Sequence, residues 1–147
     1  MSLYLSSGLA KFLATDGSMK YAMDGGFIDI YAGPVPAGAD AAVGAATLLC
    51  RISTNATPTG LTLTPDGRFL RKAPGEVWSG EKVGAGTASF YRHVYKLDDG
   101  SASTEHRRMQ GAVGLTNAAE MTLVDVAFVP GGTFTLNSYV LELPTYA

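Results

Sequence analysis

Residues 87–100 read Thr-Ala-Ser-Phe-Tyr-Arg-His-Val-Tyr-Lys-Leu-Asp-Asp-Gly, and this stretch decides the fold. Aromatic and β-branched residues are frequent over positions 87–97, and Asp98-Asp99-Gly100 is a turn signature. The segment therefore predicts a long strand closed by a turn. Alternation places Phe90, Arg92, Val94 and Lys96 on one face and Tyr91, His93, Tyr95 and Leu97 on the other. Neither face is cleanly polar. A strand of a free two-layer sandwich has one wet face, so part of the outer surface is expected to be covered. The N-terminal helix is the favoured cover, and another chain is the alternative.

The same rhythm extends in both directions. Residues 27–32 form a strand ended by Gly33-Pro34-Val35-Pro36, residues 33–46 are a surface loop, and residues 47–54 are the next strand. Leu61-Thr62-Leu63 and Arg68-Phe69-Leu70 flank Thr64-Pro65-Asp66-Gly67, which predicts a hairpin. A further strand runs through Glu76-Val77-Trp78. Beyond residue 100, residues 109–115 form a shorter strand. Residues 121–129 and 133–143 are two strong strands joined as a hairpin by Pro130-Gly131-Gly132. About seven to nine strands with turns every 8–12 residues predict an all-β fold, a jelly-roll-like or Greek-key β-sandwich.

Residues 1–26 have a different texture. Ser6 and Ser7 are good N-cap types, Leu9, Phe12 and Leu13 follow at helical spacing, and a second short turn over residues 18–23 stops at Gly25-Gly26. They predict a short helical lead-in to a sandwich over residues 27–147. With 147 residues in all, the chain is expected to form a single domain.

Composition mainly excludes. Charged residues make up 16% and the net charge is −2, which gives no general attraction to nucleic acid or an anionic membrane. Uncharged stretches are broken by Gly and Pro, well short of the ~20 residues of a membrane span. No targeting segment is visible, so synthesis in a reducing cytoplasm is expected. The one cysteine, Cys50, rules out an internal disulfide framework and reads as a small buried hydrophobe.

Chemistry-bearing patterns are missing. His93 and His106 have no second His or Cys at metal spacing and read as structural or solvated. There is no Gly-x-Ser-x-Gly elbow and no Gly-Lys-Ser/Thr phosphate loop, and Gly84-Ala85-Gly86 leads into a strand rather than a helix. Asp98 and Asp99 read as a turn, whereas Asp125 and Glu142 sit in apolar strands and are expected to be buried against an arginine or at an interface. The basic groups Arg68/Arg71/Lys72, Arg92/Lys96 and Arg107/Arg108 are interleaved with acids and predict a solvated mixed-charge face. No catalytic, cofactor or metal residues are expected, and no enzyme.

The segments Gly84-Ala85-Gly86-Thr87-Ala88-Ser89-Phe90-Tyr91-Arg92, Asp99-Gly100-Ser101 and Arg108-Met109-Gln110-Gly111-Ala112-Val113-Gly114 resemble small virion proteins of tailed bacteriophages. Those carry a Gly-Thr-Ala-x-aromatic-x-Arg strand, an Asp-Gly-Ser turn and an Arg-x-x-Gly-x-Val-Gly segment. The ending from Pro130 to Tyr139 and on to Leu143-Pro144 is similar, as are Leu5-Ser6-Ser7-Gly8-Leu9 and residues 28–33 with Pro36 and Ala39-Asp40-Ala41. Residues 51–72 are least alike. Ser89-Phe90 departs from the family's frequent Trp before the aromatic, and Glu105-His106-Arg107 and residues 115–120 are atypical.

The resemblance implies a non-enzymatic capsid decoration, or cement, protein on the capsid exterior, assembled in the host bacterial cytoplasm. Its implied partners are the major capsid protein and itself, as dimer or trimer, with no nucleic acid and no membrane. Extended termini often act as clamps in such assemblies, which makes Tyr4, Leu5, Pro144 and Tyr146 the candidate interface. The alternatives are a tail, baseplate or head-fibre component, and a glycan-binding module using Trp78, Tyr91 and Tyr95.

Overall fold

Ser6 opens the first helix as its N-cap, accepting the Leu9 N–H at 3.1 Å on its side-chain oxygen. Helix α1 (Ser7–Thr15) follows, and Ser18 caps α2 (Met19–Met23) in the same way through the Tyr21 N–H. Gly25, at φ +82°, ends α2 in a conformation that favours glycine. Neither helix is long enough to be stable alone. They are held because Leu9, Met19, Ala22 and Met23 are buried in the main core. A two-residue strand precedes them, β1 (Tyr4–Leu5), where the sequence predicts only helical texture.

The computed structural model describes residues 3–115, 121–123 and 125–143. Beyond the helices it contains β2 (Phe27–Ala32), β3 (Thr47–Thr54), β4 (Leu63–Asp66), β5 (Phe69–Lys72), β6 (Trp78–Glu81) and β7 (Gly86–Val94). These are followed by β8 (Arg108–Gly114), β9 (Met121–Thr122), β10 (Ala127–Phe128), β11 (Thr133–Leu136) and β12 (Val140–Glu142). The large sheet runs β1-β8-β7-β2-β3-β6-β11, with β10 added to β7 and β9 to β8, and the small sheet runs β12-β5-β4. Pairing is antiparallel except between β8 and β9. The fold is all-β with a short helical segment. Of the two sandwich arrangements the sequence allows, the order β7-β2-β3-β6 is that of a Greek key, the fourth strand returning beside the first. The β4–β5 hairpin is an excursion into the second sheet between β3 and β6.

One apolar core joins the layers. Ile28, Ile30, Cys50, Ile52, Tyr91, Met109 and Val113 face inward from the large sheet, Leu63, Leu70 and Leu141 from the small one, and Trp78 packs among them. Tyr139 sits against Trp78, Tyr91 and His93, with ring centroids 5.4–6.5 Å apart.

Four expectations need correction. The outer face of the large sheet is covered by residues 33–46 and not by the helices, because α1 and α2 plug the core instead. β7 stops at Val94: the Tyr95 N–H still reaches the Arg107 carbonyl opposite it, but the Asp98 N–H bonds back to the Tyr95 carbonyl and turns the chain. The strand expected through residues 76–78 does not include Glu76 and Val77. Glu76 reaches back to accept the Thr62 N–H and the Trp78 indole N–H, both at 2.9 Å, and the strand begins at Trp78.

The expected hairpin over residues 121–143 is the fourth. β9, β10, β11 and β12 pair with β8, β7, β6 and β5 respectively, and none pairs with another. Asp125 accepts the Ala127 N–H at 2.9 Å and so puts a turn inside the apolar run. Gly131 and Gly132, both at positive φ, wrap the backbone onto Lys82 instead of folding the strands together.

Candidate functional site

Asp29, Tyr31, Phe90, Arg92, Val94, Arg108 and Gln110 lie on the outer face of β2, β7 and β8, opposite the core. In a free sheet this face would be wet. Here residues 33–46 form a strap across it. Gln110 Nε2 donates to the Pro36 carbonyl at 2.9 Å, and Arg92 Nη2 donates to Gly38 and Ala41 at 3.3 and 2.6 Å. Arg108 Nη1 donates to Ala39 at 3.1 Å. Asp40 ties the strap to α1 by accepting both the backbone N–H and the hydroxyl of Ser7. Beneath the strap, the Tyr31 and Phe90 rings stack at 5.0 Å.

Two ion pairs are embedded in this face. Arg108 is bidentate to Asp98, their side chains 0% and 2% exposed. Arg51 is bidentate to the buried Asp29 at 2.7 and 2.8 Å, with its guanidinium over the Phe27 ring. Burial pushes the Asp29 carboxyl up, against the pull of Arg51.

Arg92, 1% exposed, is different. Its Nε donates to Gln110 Oε1 at 3.0 Å and its Nη2 to the strap carbonyls, while Nη1 is buried without a hydrogen-bond partner among the described residues. Burial, and then the charge of Arg108, lower its pKa. A pocket of about 230 Å³ adjoins it, lined in part by Asp29, Arg51, Asp98 and Asp99.

A second feature lies at the edge of the large sheet. Tyr4 and Leu5 on β1 are 45% and 43% exposed, and Val35 stands exposed nearby. Tyr4, Val35, Pro36 and Ala37 line a groove of about 330 Å³ together with Gln110, Gly111 and Ala112 of β8. Apolar groups dominate its walls. Pro144 and Tyr146, the other two interface candidates from sequence, lie outside the described residues.

The remaining sequence candidates are accounted for by their surroundings. His93 is fully buried, with Nδ1 2.9 Å from the Tyr139 hydroxyl, and burial lowers its pKa to about 3. The Cys50 thiol is enclosed and pushed up to about 12, mainly by burial, so it is a poor nucleophile. Trp78 and Tyr91 are core residues and Tyr95 is tied to His106 at 2.8 Å, so the three form no sugar platform. Arg92 and Arg108 are buried, against the expectation of a solvated charged face. Glu142 is exposed and pairs with exposed Arg68, and exposed Asp125 caps a turn; neither is a buried ion-pair partner.

Asp98, Asp99 and His106 bring ligand atoms within 4.8 Å of one another. Asp98 is already engaged by Arg108 and by the Gly100 N–H, and Asp99 by Ser101. A search for His and Cys spacing does not find this cluster, because the turn after β7 assembles it.

No family model matches this chain, nor does any curated protein or solved structure. No helix among the described residues is long and apolar enough to cross a membrane.

Proposed function

We propose that this chain is a non-enzymatic structural protein of a tailed-phage virion, a decoration protein that binds the outer capsid surface between capsomers and stabilises the shell. The observation that carries the reading is the apolar groove at the sheet edge, where Tyr4 and Val35 stand exposed. Contiguous exposed apolar surface beside an open strand edge suits docking against another protein. The sequence segments that resemble small phage virion proteins support the same reading. So does the strap, whose charged anchors are used internally to fix a loop against the sheet.

In this reading the major capsid protein is the partner, and self-association at a local symmetry axis is compatible with the groove. The test is binding to purified capsids that lack the protein. Tyr4→Asp and Val35→Asp together are expected to weaken capsid binding at least tenfold while leaving the melting temperature within a few degrees, because both side chains are exposed on the groove wall and neither belongs to the core. Unchanged capsid binding by a folded double variant would overturn the groove as the contact.

A further inference from the structure

We propose that the pocket beside Arg92, between the strap and the outer face of β2, β3 and β7, binds a single carboxylate group. The charge count carries this. Asp29 is taken by two nitrogens of Arg51, and Asp98 by two of Arg108. Arg92 is left with neutral acceptors only: the Gln110 amide oxygen and the carbonyls of Gly38 and Ala41. Asp29, Arg92, Asp98 and Arg108 have buried side chains and Arg51 is half-exposed. These five sum to one positive charge, which the exposed Asp99 on the pocket rim faces from solvent, and Arg92 Nη1 donates to nothing among the described residues. An unpaired buried ion is costly, and so is an unmade buried hydrogen bond.

The pocket lined by Arg92 supplies the space. At about 230 Å³ it has room for a carboxylate with a short stem and ordered water, which takes about 30 Å³ per molecule. Half-exposed Arg51 lines the same pocket as a second cation, and Val43 and Leu48 form an apolar wall. Guanidinium groups match carboxylates in shape and donor geometry. Asp99, exposed on the same pocket, opposes an incoming anion and keeps affinity low. Nη1 is sealed from solvent, so the anion reaches it as the strap around Val43 gives way. A free carboxylate ion and an Asp or Glu side chain of a docking chain offer the same chemistry. The inference does not depend on the virion reading.

The experiment titrates the isotope-labelled full chain with sodium acetate, against sodium chloride at equal ionic strength. It follows the Arg92 Nε–H resonance and the melting temperature. A saturable shift of that resonance and a rise in melting temperature specific to acetate are expected, both lost in Arg92→Gln. Asp99→Asn removes an exposed charge while keeping a side-chain oxygen to accept from Ser101, folds whether or not Arg92→Gln does, and is expected to tighten acetate binding several-fold. The blocked peptide N-acetyl-Gly-Glu-Gly-amide separates the sources: tighter binding than acetate assigns the site to a protein side chain, and weaker binding assigns it to a free ion. An Arg92 resonance unmoved by both probes overturns the proposal, as does acetate binding unchanged in Asp99→Asn.

Discussion

The Arg108 side chain is enclosed by protein, and its buried guanidinium is met there by the bidentate contact with Asp98. Removing one member of such a pair leaves the other buried and uncompensated. Arg108→Ala is therefore expected to lower the unfolding free energy by about 3–5 kcal/mol, read from a denaturant titration; a loss below about 1 kcal/mol, the worth of an exposed pair, would contradict the burial. His93 makes the opposite kind of demand, since it must stay neutral. Its folded pKa of about 3 lies below the unfolded value of about 6.5. The unfolded chain therefore takes up the proton first, and stability is full above pH 6.5 and lost as pH falls toward 3. At pH 4.5 this amounts to about 2–3 kcal/mol. His93→Gln should flatten the acid limb of a stability-against-pH curve, and an unchanged slope would show that His93 does not set it.

Close backbone approaches decide how the elements meet. Alanine is better than glycine inside a helix by about 1 kcal/mol, yet a Cβ at Gly8 in α1 would lie 2.3 Å from the Glu105 carbonyl oxygen and 2.6 Å from that of His106. Gly8→Ala is expected to lower the melting temperature, while Gly75→Ala, which meets nothing within 4 Å, leaves it nearly unchanged. A stabilised Gly8→Ala would mean that α1 does not seat against the 105–106 turn. Elements governed by local signals were legible in the sequence. β3 occupies residues 47–54 as expected, Ser6, one of the two cap candidates, caps α1, and α2 falls within the short turn expected over residues 18–23. Residues 121–143 were not, because each short strand there is fixed by a different distant partner and not by its neighbour across Pro130-Gly131-Gly132.

At the scale of the whole molecule, the strap explains why both faces of the large sheet avoid water. Mixed character on the two faces of residues 87–97 signalled a cover, but nothing local to residues 33–46 says that their carbonyls answer to Arg92, Arg108 and Gln110. The same holds for Asp98, whose turn signature conceals its contact with Arg108, and for the pocket beside Arg92, which exists only once the strap is in place. Tyr4 and Leu5 entered as interface candidates only through the resemblance, and the groove that Tyr4 lines emerges from β8 and the strap together. Decoration of a capsid by this body is tested most directly by its copy number per major capsid subunit in purified virions, by quantitative mass spectrometry. A ratio near one or a simple fraction such as one third is expected. A handful of copies per particle would contradict it and move the chain to the tail or portal.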